Sequence, residues 1–275
     1  MFRLDEYLKG RQEVIDRELD ARMPAAGRRP AILHEAMRYS VFSGGKRVRP
    51  ILCLAACEAV GGRMENALVP ACAIELLHTY TLIHDDLPAM DDDDLRRGKP
   101  TSHAKFGEAN AILAGDALLT LTFEWLVDYP QLARELAQAV GSTGTIGGQV
   151  EDLAPRKTLD KRQQEEQLEY IHLNKTAKLI QASVRIGAIT GDAGESELAA
   201  LSNYGEKIGL AFQFVDDVLD EEDKEPLTAL KVYGREGTLA RARELVAGAK
   251  KDLREVSGDG TVLSSIADFI VERTH

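Results

Sequence analysis

Cysteine, aromatic residues and basic charge are all scarce in this chain of 275 residues. It has three cysteines, one tryptophan and 5% aromatic residues, and its 34 Lys and Arg against 45 Asp and Glu give a net charge of −11. A nucleic-acid-binding protein is expected to carry an excess of basic charge, so the composition argues against that class. The 44% of apolar residues is ample for a hydrophobic core.

A secretory leader and a membrane-spanning segment are not expected either. The acidic Asp5 and Glu6 interrupt the amino terminus before any apolar run could form. The longest apolar stretch, residues 109–127, contains Asp116 and Glu124, whose charges would be costly in hydrocarbon. The sequence therefore predicts a soluble protein without stable membrane insertion.

The three cysteines, Cys53, Cys57 and Cys72, lie in apolar surroundings and lack histidine partners at metal-ligand spacing. An odd number in such a setting predicts buried thiols outside any disulfide. Thiols of this kind fit a reducing compartment, so we expect a cytoplasmic protein.

Apolar residues recur with the helical period along nearly the whole chain, and alternating strand patterns are not evident. Pro50 suits a first helical turn, while Gly61-Gly62, Gly141 and Gly191 suit helix ends. Helices are predicted at 2–21, 31–43, 50–60, 65–86, 108–127, 130–140, 143–153, 162–190, 195–220, 228–255 and 260–273. With no evident linker or repeat, we expect one all-α domain, a helical bundle spanning 1–275.

An acidic cluster follows the apolar helix predicted at 65–86. The segment 84–94 reads HDDLPAMDDDD, and Arg96 and Arg97 follow after Leu95. His78, Thr81 and Asp85 share one face of the preceding helix. A run of acids is often only a solvated loop, but clustered carboxylates beside an apolar helix also suit Mg²⁺.

A second acidic cluster ends the helix predicted at 195–220. Gln213, Asp216 or Asp217, and Asp220 share a face among apolar residues. One such motif alone is weak evidence. Two motifs on separate long helices, each able to hold Mg²⁺, point to a diphosphate clamped between them.

A basic loop, residues 43–50 (SGGKRVRP), precedes a helix. The paired glycines would let the backbone approach a ligand, while Lys46 and Arg49 offer a point charge and a bidentate fork for phosphate oxygens. An inter-helix loop with solvated cations is the alternative. The spacing is not that of a nucleotide-binding P-loop, which argues against an NTPase.

Two pairs of polar residues interrupt the core helices. Lys175 and Thr176 follow His172 by three and four residues, and Gln149 and Asp152 share a face. The pair Lys175 and Thr176 could simply be exposed.

Together, these motifs resemble the trans-isoprenyl diphosphate synthases, most closely the bacterial farnesyl diphosphate synthases. The likeness runs from residue 44 through 220 and resumes at 270–273. It implies condensation of isopentenyl diphosphate with an allylic diphosphate, such as dimethylallyl or geranyl diphosphate, through a carbocation. The diphosphate leaves with metal assistance and is the expected acceptor of the proton.

The resemblance also implies cofactor, partner and site residues. Three Mg²⁺ ions are expected, with Asp85, Asp91 and Asp216 as ligands, Asp86 close by, and Asp217 and Asp220 in support. A homodimer is expected. Lys175, Thr176 and Gln213 are implied as catalytic residues. The substrate-binding residues implied are Arg96, Lys175, Gln213 and Lys231 for the allylic diphosphate, and Lys46, Arg49, His78 and Arg97 for isopentenyl diphosphate.

One segment departs from the family pattern. Members usually carry a flexible loop with a Gly-Lys pair after the second motif, whereas here residues 220–226 run almost directly into a helix. Lys224 or Lys231 would have to replace the loop lysine. Either the loop is shortened, or the sequence omits part of it.

Product length is predicted from helix geometry. Tyr80 lies five residues before Asp85, about 7.5 Å deeper along the helix at a rise of about 1.5 Å per residue, with Thr81 beside it. A bulky aromatic there could form the floor of the pocket and limit the product to C15, as the resemblance to bacterial farnesyl synthases also implies. The alternative is an ordinary core tyrosine.

Other activities remain as alternatives. A geranylgeranyl (C20) synthase would share all the motifs. A terpene cyclase would not need the second diphosphate site of the basic loop, and a non-catalytic synthase subunit would be expected to have lost aspartates that are intact here. A purely structural bundle with acidic patches is the remaining alternative.

Overall fold

The computed structural model describes residues 2–154, 159–219 and 227–272. Almost all of the regular structure in these ranges is helical, which confirms the all-α class. The helices are α1 (Leu4–Arg22), α2 (Ala31–Val41), α3 (Val48–Ala59), α4 (Met64–Asp85), α5 (Ser102–Phe106), α6 (Glu108–Trp125), α7 (Pro130–Val140), α8 (Thr145–Leu153), α9 (Lys161–Ile171), α10 (Lys178–Thr190), α11 (Glu195–Leu219), α12 (Ala229–Asp252) and α13 (Thr261–Glu272). A 3₁₀ turn, Leu253–Glu255, follows α12.

Helix boundaries agree with the sequence predictions to within a few residues. Pro50 lies in the first turn of α3, and Gly141 and Gly191 directly follow α7 and α10. Two elements were not predicted. One is the five-residue α5, and the other is a hairpin of two-residue strands, β1 (Leu95–Arg96) and β2 (Lys99–Pro100).

The helix predicted at 162–190 is continuous, but its middle turn is wider than an α-helix. Residues His172–Ala177 form a π-helical turn between α9 and α10. Such turns insert one extra residue into a helix and are frequent at functional sites. Lys175 and Thr176 both lie in it.

The described chain divides into two compact units. Unit 1 comprises Met1–Ile51 and Leu68–Ala133, and unit 2 comprises Leu52–Ala67 and Arg134–His275. In unit 1, α2, α5 and α6 pack on one another. In unit 2, α11 packs against α10, α12, α13 and the π turn. The single domain spanning 1–275 remains a prediction.

Both units have closely packed interiors. Ile15, Leu19 and Leu118 are fully buried in unit 1, and Leu136 and Tyr204 in unit 2. All three cysteines are buried thiols, as predicted, with no exposed surface. Among the described residues, one helix, α4, is long and apolar enough to cross a membrane by length and composition. Because 67% of its most apolar window is buried inside the protein, it reads as a core helix.

Candidate active site

The first aspartate motif folds back onto the end of α4. The backbone N–H of Asp91 donates to the carbonyl of Asp85 at 2.9 Å, and that of Asp93 donates to the carbonyl of Asp86 at 3.3 Å. These bonds bring the backbone of Asp91 alongside that of Asp85, although six positions separate them. The two aspartates predicted as metal ligands in this motif are therefore neighbours.

Asp86 is held by the protein itself. Its side chain is buried, and the Nε and Nη2 atoms of Arg96 lie 2.7 and 2.6 Å from its Oδ1. Burial raises the pKa of Asp86 despite the opposing effect of Arg96. Asp86 thus anchors Arg96 beside the motif, and the role of Arg96 toward the allylic diphosphate stays a prediction.

The unpredicted hairpin positions Arg97. Arg97 and Gly98 form its turn, with φ of 54° and 72°, the left-handed conformation that two-residue hairpin turns require. The Arg97 guanidinium donates to the carbonyl of Gly44 and packs on Gly45. A Cβ at Gly45 would lie 2.5 Å from Arg97 Nη1. We expected the backbone at Gly45 to approach a ligand, but the Arg97 side chain occupies the space beside this glycine.

Three of the four residues predicted to bind isopentenyl diphosphate form one basic group in unit 1. Arg49 Nη1 lies 3.2 Å from His78 Nε2. Burial, and then the charges of Arg49 and Arg97, hold the pKa of His78 well below its usual range. His78 is therefore neutral at pH 7 and can accept the hydrogen bond from Arg49. The fourth residue, Lys46, is exposed in the adjoining loop.

Arg47, between the two predicted phosphate-binding residues of this loop, has a structural role that sequence reasoning missed. It is 4% exposed, and its guanidinium donates to Asp16 at 2.9 Å, Glu75 at 2.6 Å and the carbonyl of Val41 at 2.7 Å. These partners lie 6 to 31 positions away, so no local pattern could have distinguished Arg47 from its basic neighbours.

In unit 2, the π turn and α11 bring the predicted catalytic residues together. The Thr176 hydroxyl donates to Gln213 Oε1 at 2.8 Å, and Gln213 Nε2 donates to Asp217 Oδ1 at 2.9 Å. Lys175 Nζ lies 2.6 Å from Asp152 Oδ2, which links it to α8. The ion pair between Lys175 and Asp152 thus links the two polar pairs that the sequence shows only as separate features.

Two glycines allow neighbouring helices to approach the π turn. A Cβ at Gly148 of α8 would lie 2.3 Å from the backbone nitrogen of Lys175, and one at Gly209 of α11 would lie 2.5 Å from the Cα of Ala177. Real Cβ atoms do not occur at such distances from backbone. The backbone that carries Lys175 and Thr176 is therefore in direct contact with two other helices.

Asp217 ties the second aspartate motif to its surroundings. It is 5% exposed, and its Oδ2 accepts the backbone N–H of Ala229 at 2.6 Å and lies 3.3 Å from His172 Nε2. Burial alone would raise the pKa of Asp217, but the bonds from His172, Ala229 and Gln213 together lower it. Both carboxylate oxygens of Asp217 therefore have protein partners, and its supporting role toward the metal stays a prediction.

The adjoining segment is only partly described. Asp220 and Lys224, which were predicted as site residues, lie outside the described residues. The alternative of a shortened loop falls on the same residues, 220–226. Lys231 is exposed in the first turn of α12, which the hydroxyl of Thr228 caps. Asp216 is half-buried on α11. The roles of Lys231 and Asp216 remain predictions.

The predicted pocket-floor residues are on α4. Tyr80 is 5% exposed, and its ring meets the ring of His84 edge-to-face with centroids 5.5 Å apart. Burial, and then the charge of Asp85, raise the pKa of Tyr80. Thr81 is half-buried, and its hydroxyl donates to the carbonyl of His78 at 2.8 Å. Tyr80 lies on the helix that ends at Asp85, and its depth in a pocket and its effect on product length remain predictions.

The acidic residues fit a magnesium site by their chemistry. Asp85 and Asp91 offer only oxygen donors from adjoining backbone positions. In the three described ranges, no three Asp, Glu, His or Cys side chains converge as a ready metal centre. Mg²⁺ commonly takes one or two carboxylates and completes its shell with water and substrate phosphates. The donor set is therefore suited to an ion that binds together with a diphosphate.

Comparison with known proteins identifies the relatives of this chain. It is 42% identical to geranylgeranyl pyrophosphate synthase 4 of Arabidopsis thaliana, covering 100% of this chain and 79% of that protein. It is 43% identical to the chloroplastic heterodimeric geranylgeranyl pyrophosphate synthase large subunit 1 of the same plant, covering 97% and 78%. The structure of a FPP/GFPP synthase from Zymomonas mobilis superposes with a TM-score of 0.88 at 37% identity, covering 98% of each chain.

The family pattern described as polyprenyl synthetase matches residues 30–234. This range contains the basic loop, both aspartate motifs and the π turn. Sequence and fold agree, and the chain belongs to the polyprenyl synthetase family.

Proposed function

We propose that this protein condenses isopentenyl diphosphate with an allylic diphosphate. The observation that carries the proposal is in unit 1, where the basic group of Arg49, His78 and Arg97 occurs together with the acidic pair Asp85 and Asp91. Cations bind a diphosphate directly, whereas carboxylates bind one through Mg²⁺. Two binding modes in one unit suit two diphosphate substrates. A terpene cyclase, which takes one, has no need for the basic group.

The residues of the chain have distinct roles in this proposal. Mg²⁺, when bound, would act as a Lewis acid on the allylic diphosphate. Asp85 and Asp91 would hold metal at the first motif, and Asp216 would hold metal at the second. Lys46 and the basic group would orient isopentenyl diphosphate, so that its double bond faces the carbon that loses diphosphate. Bringing the two substrates together in this way lowers the entropic part of the barrier.

The catalytic residues of unit 2 act on charge that develops during the reaction. Thr176 presents an oxygen atom that can stabilise the allylic carbocation, Gln213 accepts the hydrogen bond from the Thr176 hydroxyl, and Lys175 adds a positive charge for the departing diphosphate. Asp152, 2.6 Å from the Lys175 ammonium group, keeps it in place. No side-chain nucleophile is needed, because bond cleavage at the allylic carbon generates the electrophile.

Two product lengths are candidates. The names of the Arabidopsis relatives support a C20 product, geranylgeranyl diphosphate, better than the C15 product that the sequence led us to expect. Farnesyl diphosphate is the second candidate, because Tyr80 is a buried aromatic at the depth expected of a C15 floor.

The direct test uses labelled isopentenyl diphosphate with dimethylallyl, geranyl or farnesyl diphosphate as the partner, and chromatography to measure product length. Elongation that ends at C20 supports the first candidate, and elongation that ends at C15 supports the second.

Asp85→Ala should lower turnover by orders of magnitude. Asp92→Asn is the control and should not lower turnover, because Asp92 is an exposed aspartate of the same loop and its φ of 54° suits asparagine. Full activity in excess chelator, or no elongation with any partner, would refute the proposal.

The assembly is a separate proposal. We infer a homodimer from the resemblance to the family, although a relative named as the large subunit of a heterodimer keeps a mixed assembly open. Light scattering on the purified chain distinguishes these cases. A dimer of 30.1 kDa chains that is active alone supports the homodimer, whereas activity that appears only with a second protein contradicts it. A cytoplasmic location remains a prediction.

A further inference from the structure

His172 is a buried histidine at the first position of the π turn. It is 4% exposed, and its ring meets Phe214 edge-to-face with centroids 5.2 Å apart. Its Nε2 lies 3.3 Å from Asp217 Oδ2. Its Nδ1 is buried and has no hydrogen-bond partner among the described residues. This environment restricts where the ring can carry its proton.

The tautomer follows from these contacts. A proton on Nε2 lets the ring donate to the carboxylate of Asp217 and leaves only a lone pair unpartnered at Nδ1. A proton on Nδ1 would instead bury an N–H without an acceptor and turn a lone pair toward the carboxylate, and both changes are unfavourable. The geometry therefore places a proton on Nε2, which the ring donates to Asp217.

In every hydrogen bond around Asp217, the carboxylate is the acceptor. His172 and the backbone N–H of Ala229 occupy Oδ2, which leaves Oδ1 for the amide nitrogen of Gln213. With its nitrogen used in this way, Gln213 offers its oxygen to the hydroxyl of Thr176. The Thr176 proton is thereby engaged, and the oxygen keeps its two lone pairs for other partners.

We propose that His172 is a positioning residue for prenyl transfer. It acts through Asp217 and Gln213 on the hydroxyl of Thr176. As a result, Thr176 presents its oxygen lone pairs, and not its proton, to the allylic carbocation. This inference rests on the proposed function. An oxygen oriented in advance stabilises a developing cation without reorganisation during the reaction. If the direction of the chain were reversed, the Thr176 proton would point at the cation and oppose it.

The first test compares two variants of His172. His172→Leu removes the donor and should lower kcat about 10- to 100-fold, the effect of losing one hydrogen bond to a charged group. Its KM for isopentenyl diphosphate should not change, because the residues proposed to bind that substrate are in unit 1. His172→Gln can place an amide N–H near the position of Nε2 and should restore most of the lost activity.

Two controls separate positioning from simple loss of stability. Ser183→Ala, which removes another buried hydroxyl from the same continuous helix, should lower the thermal midpoint without lowering kcat. Thr176→Val should remove the group through which His172 acts, so His172→Leu should cause little further loss in that background. Full additivity of the two substitutions, or equal losses in the Leu and Gln variants, would overturn the inference.

A spectroscopic measurement tests the same inference without any turnover. In the protein labelled with ¹⁵N-histidine, the ring signals that disappear in His172→Gln should show a protonated Nε2. A ring with an unprotonated Nε2 would refute the proposed direction of the chain. Failure of prenyl transfer by the wild-type protein would instead refute the proposed function.

Discussion

Arg47 and Arg49 are two residues apart in the basic loop but have different environments. Arg47 is buried against Glu75, which is itself 3% exposed, whereas Arg49 is half-buried and faces His78. Removing one partner of a buried ion pair leaves an uncompensated charge. The two arginines should therefore affect different properties of the protein when they are replaced.

We expect Arg47→Ala to lower the free energy of unfolding by about 3–5 kcal/mol, because Glu75 would remain buried without its partner. Denaturant titration followed by circular dichroism measures this loss. Lys46→Ala, at the exposed neighbouring position, serves as the control and should change stability by no more than about 0.5 kcal/mol. Equal stability losses in the two variants would contradict the structural role of Arg47.

Arg49→Ala should leave the fold intact and raise KM for isopentenyl diphosphate about tenfold or more, since one charge-assisted hydrogen bond contributes about 1.5–3 kcal/mol. Steady-state kinetics with each substrate varied in turn gives the two KM values. Arg63→Ala, an exposed arginine with 79% of its side chain accessible, is the control. Equal changes in both KM values would show that the basic group is not selective for one diphosphate.

Tyr80→Ala tests which residue limits the product. If the buried ring forms the pocket floor, its removal should shift the products to longer chains, because space opens about 7.5 Å beyond Asp85 along α4. Chromatography of the products measures the shift. Thr81→Ala alters the adjoining, half-buried position and should have a smaller effect. An unchanged distribution in Tyr80→Ala would place the floor on another helix.

At the level of elements, the sequence predicts the helices well and their irregularities poorly. Apolar periodicity and the punctuation by Pro50, Gly141 and Gly191 are local signals, and they locate the helices to within a few residues. The π turn has no such local signal, and the glycines that contact it, Gly148 and Gly209, meet it only in the folded chain. The hairpin turn at Arg97-Gly98 was missed because its strands have only two residues each.

The π turn should be sensitive to the size of its neighbours. Gly148→Ala would place a Cβ 2.3 Å from the backbone of Lys175, so the turn must shift and carry Lys175 and Thr176 away from their partners. We expect a loss of turnover of about tenfold or more, as a displacement of about 1 Å can produce. Gly10→Ala in α1, with open space around it, should instead stabilise the protein by about 0.5–1 kcal/mol. Unchanged turnover in Gly148→Ala would argue against a role for this contact.

For the whole molecule, the presence of two compact units raises the question of whether both unfold in a single cooperative transition. Unit 1 and unit 2 interleave in sequence, since each is made of two separate stretches of the chain. The sequence shows no composition break that would locate such a division, which is why a single domain was expected. Chain connectivity alone does not reveal whether the units lose their structure in one transition or in two.

The buried thiols make this question measurable. Burial raises the pKa of Cys57 to about 11 and that of Cys72 further still, so both stay protonated and unreactive at neutral pH while the fold holds. Cys72 belongs to unit 1, and Cys53 and Cys57 belong to unit 2. In increasing denaturant, an alkylating reagent followed by mass spectrometry should find chains with either no label or three labels if unfolding is cooperative. A population with one or two labels would show that one unit opens first. The number of labelled cysteines on each chain thus reports the order in which the two units unfold.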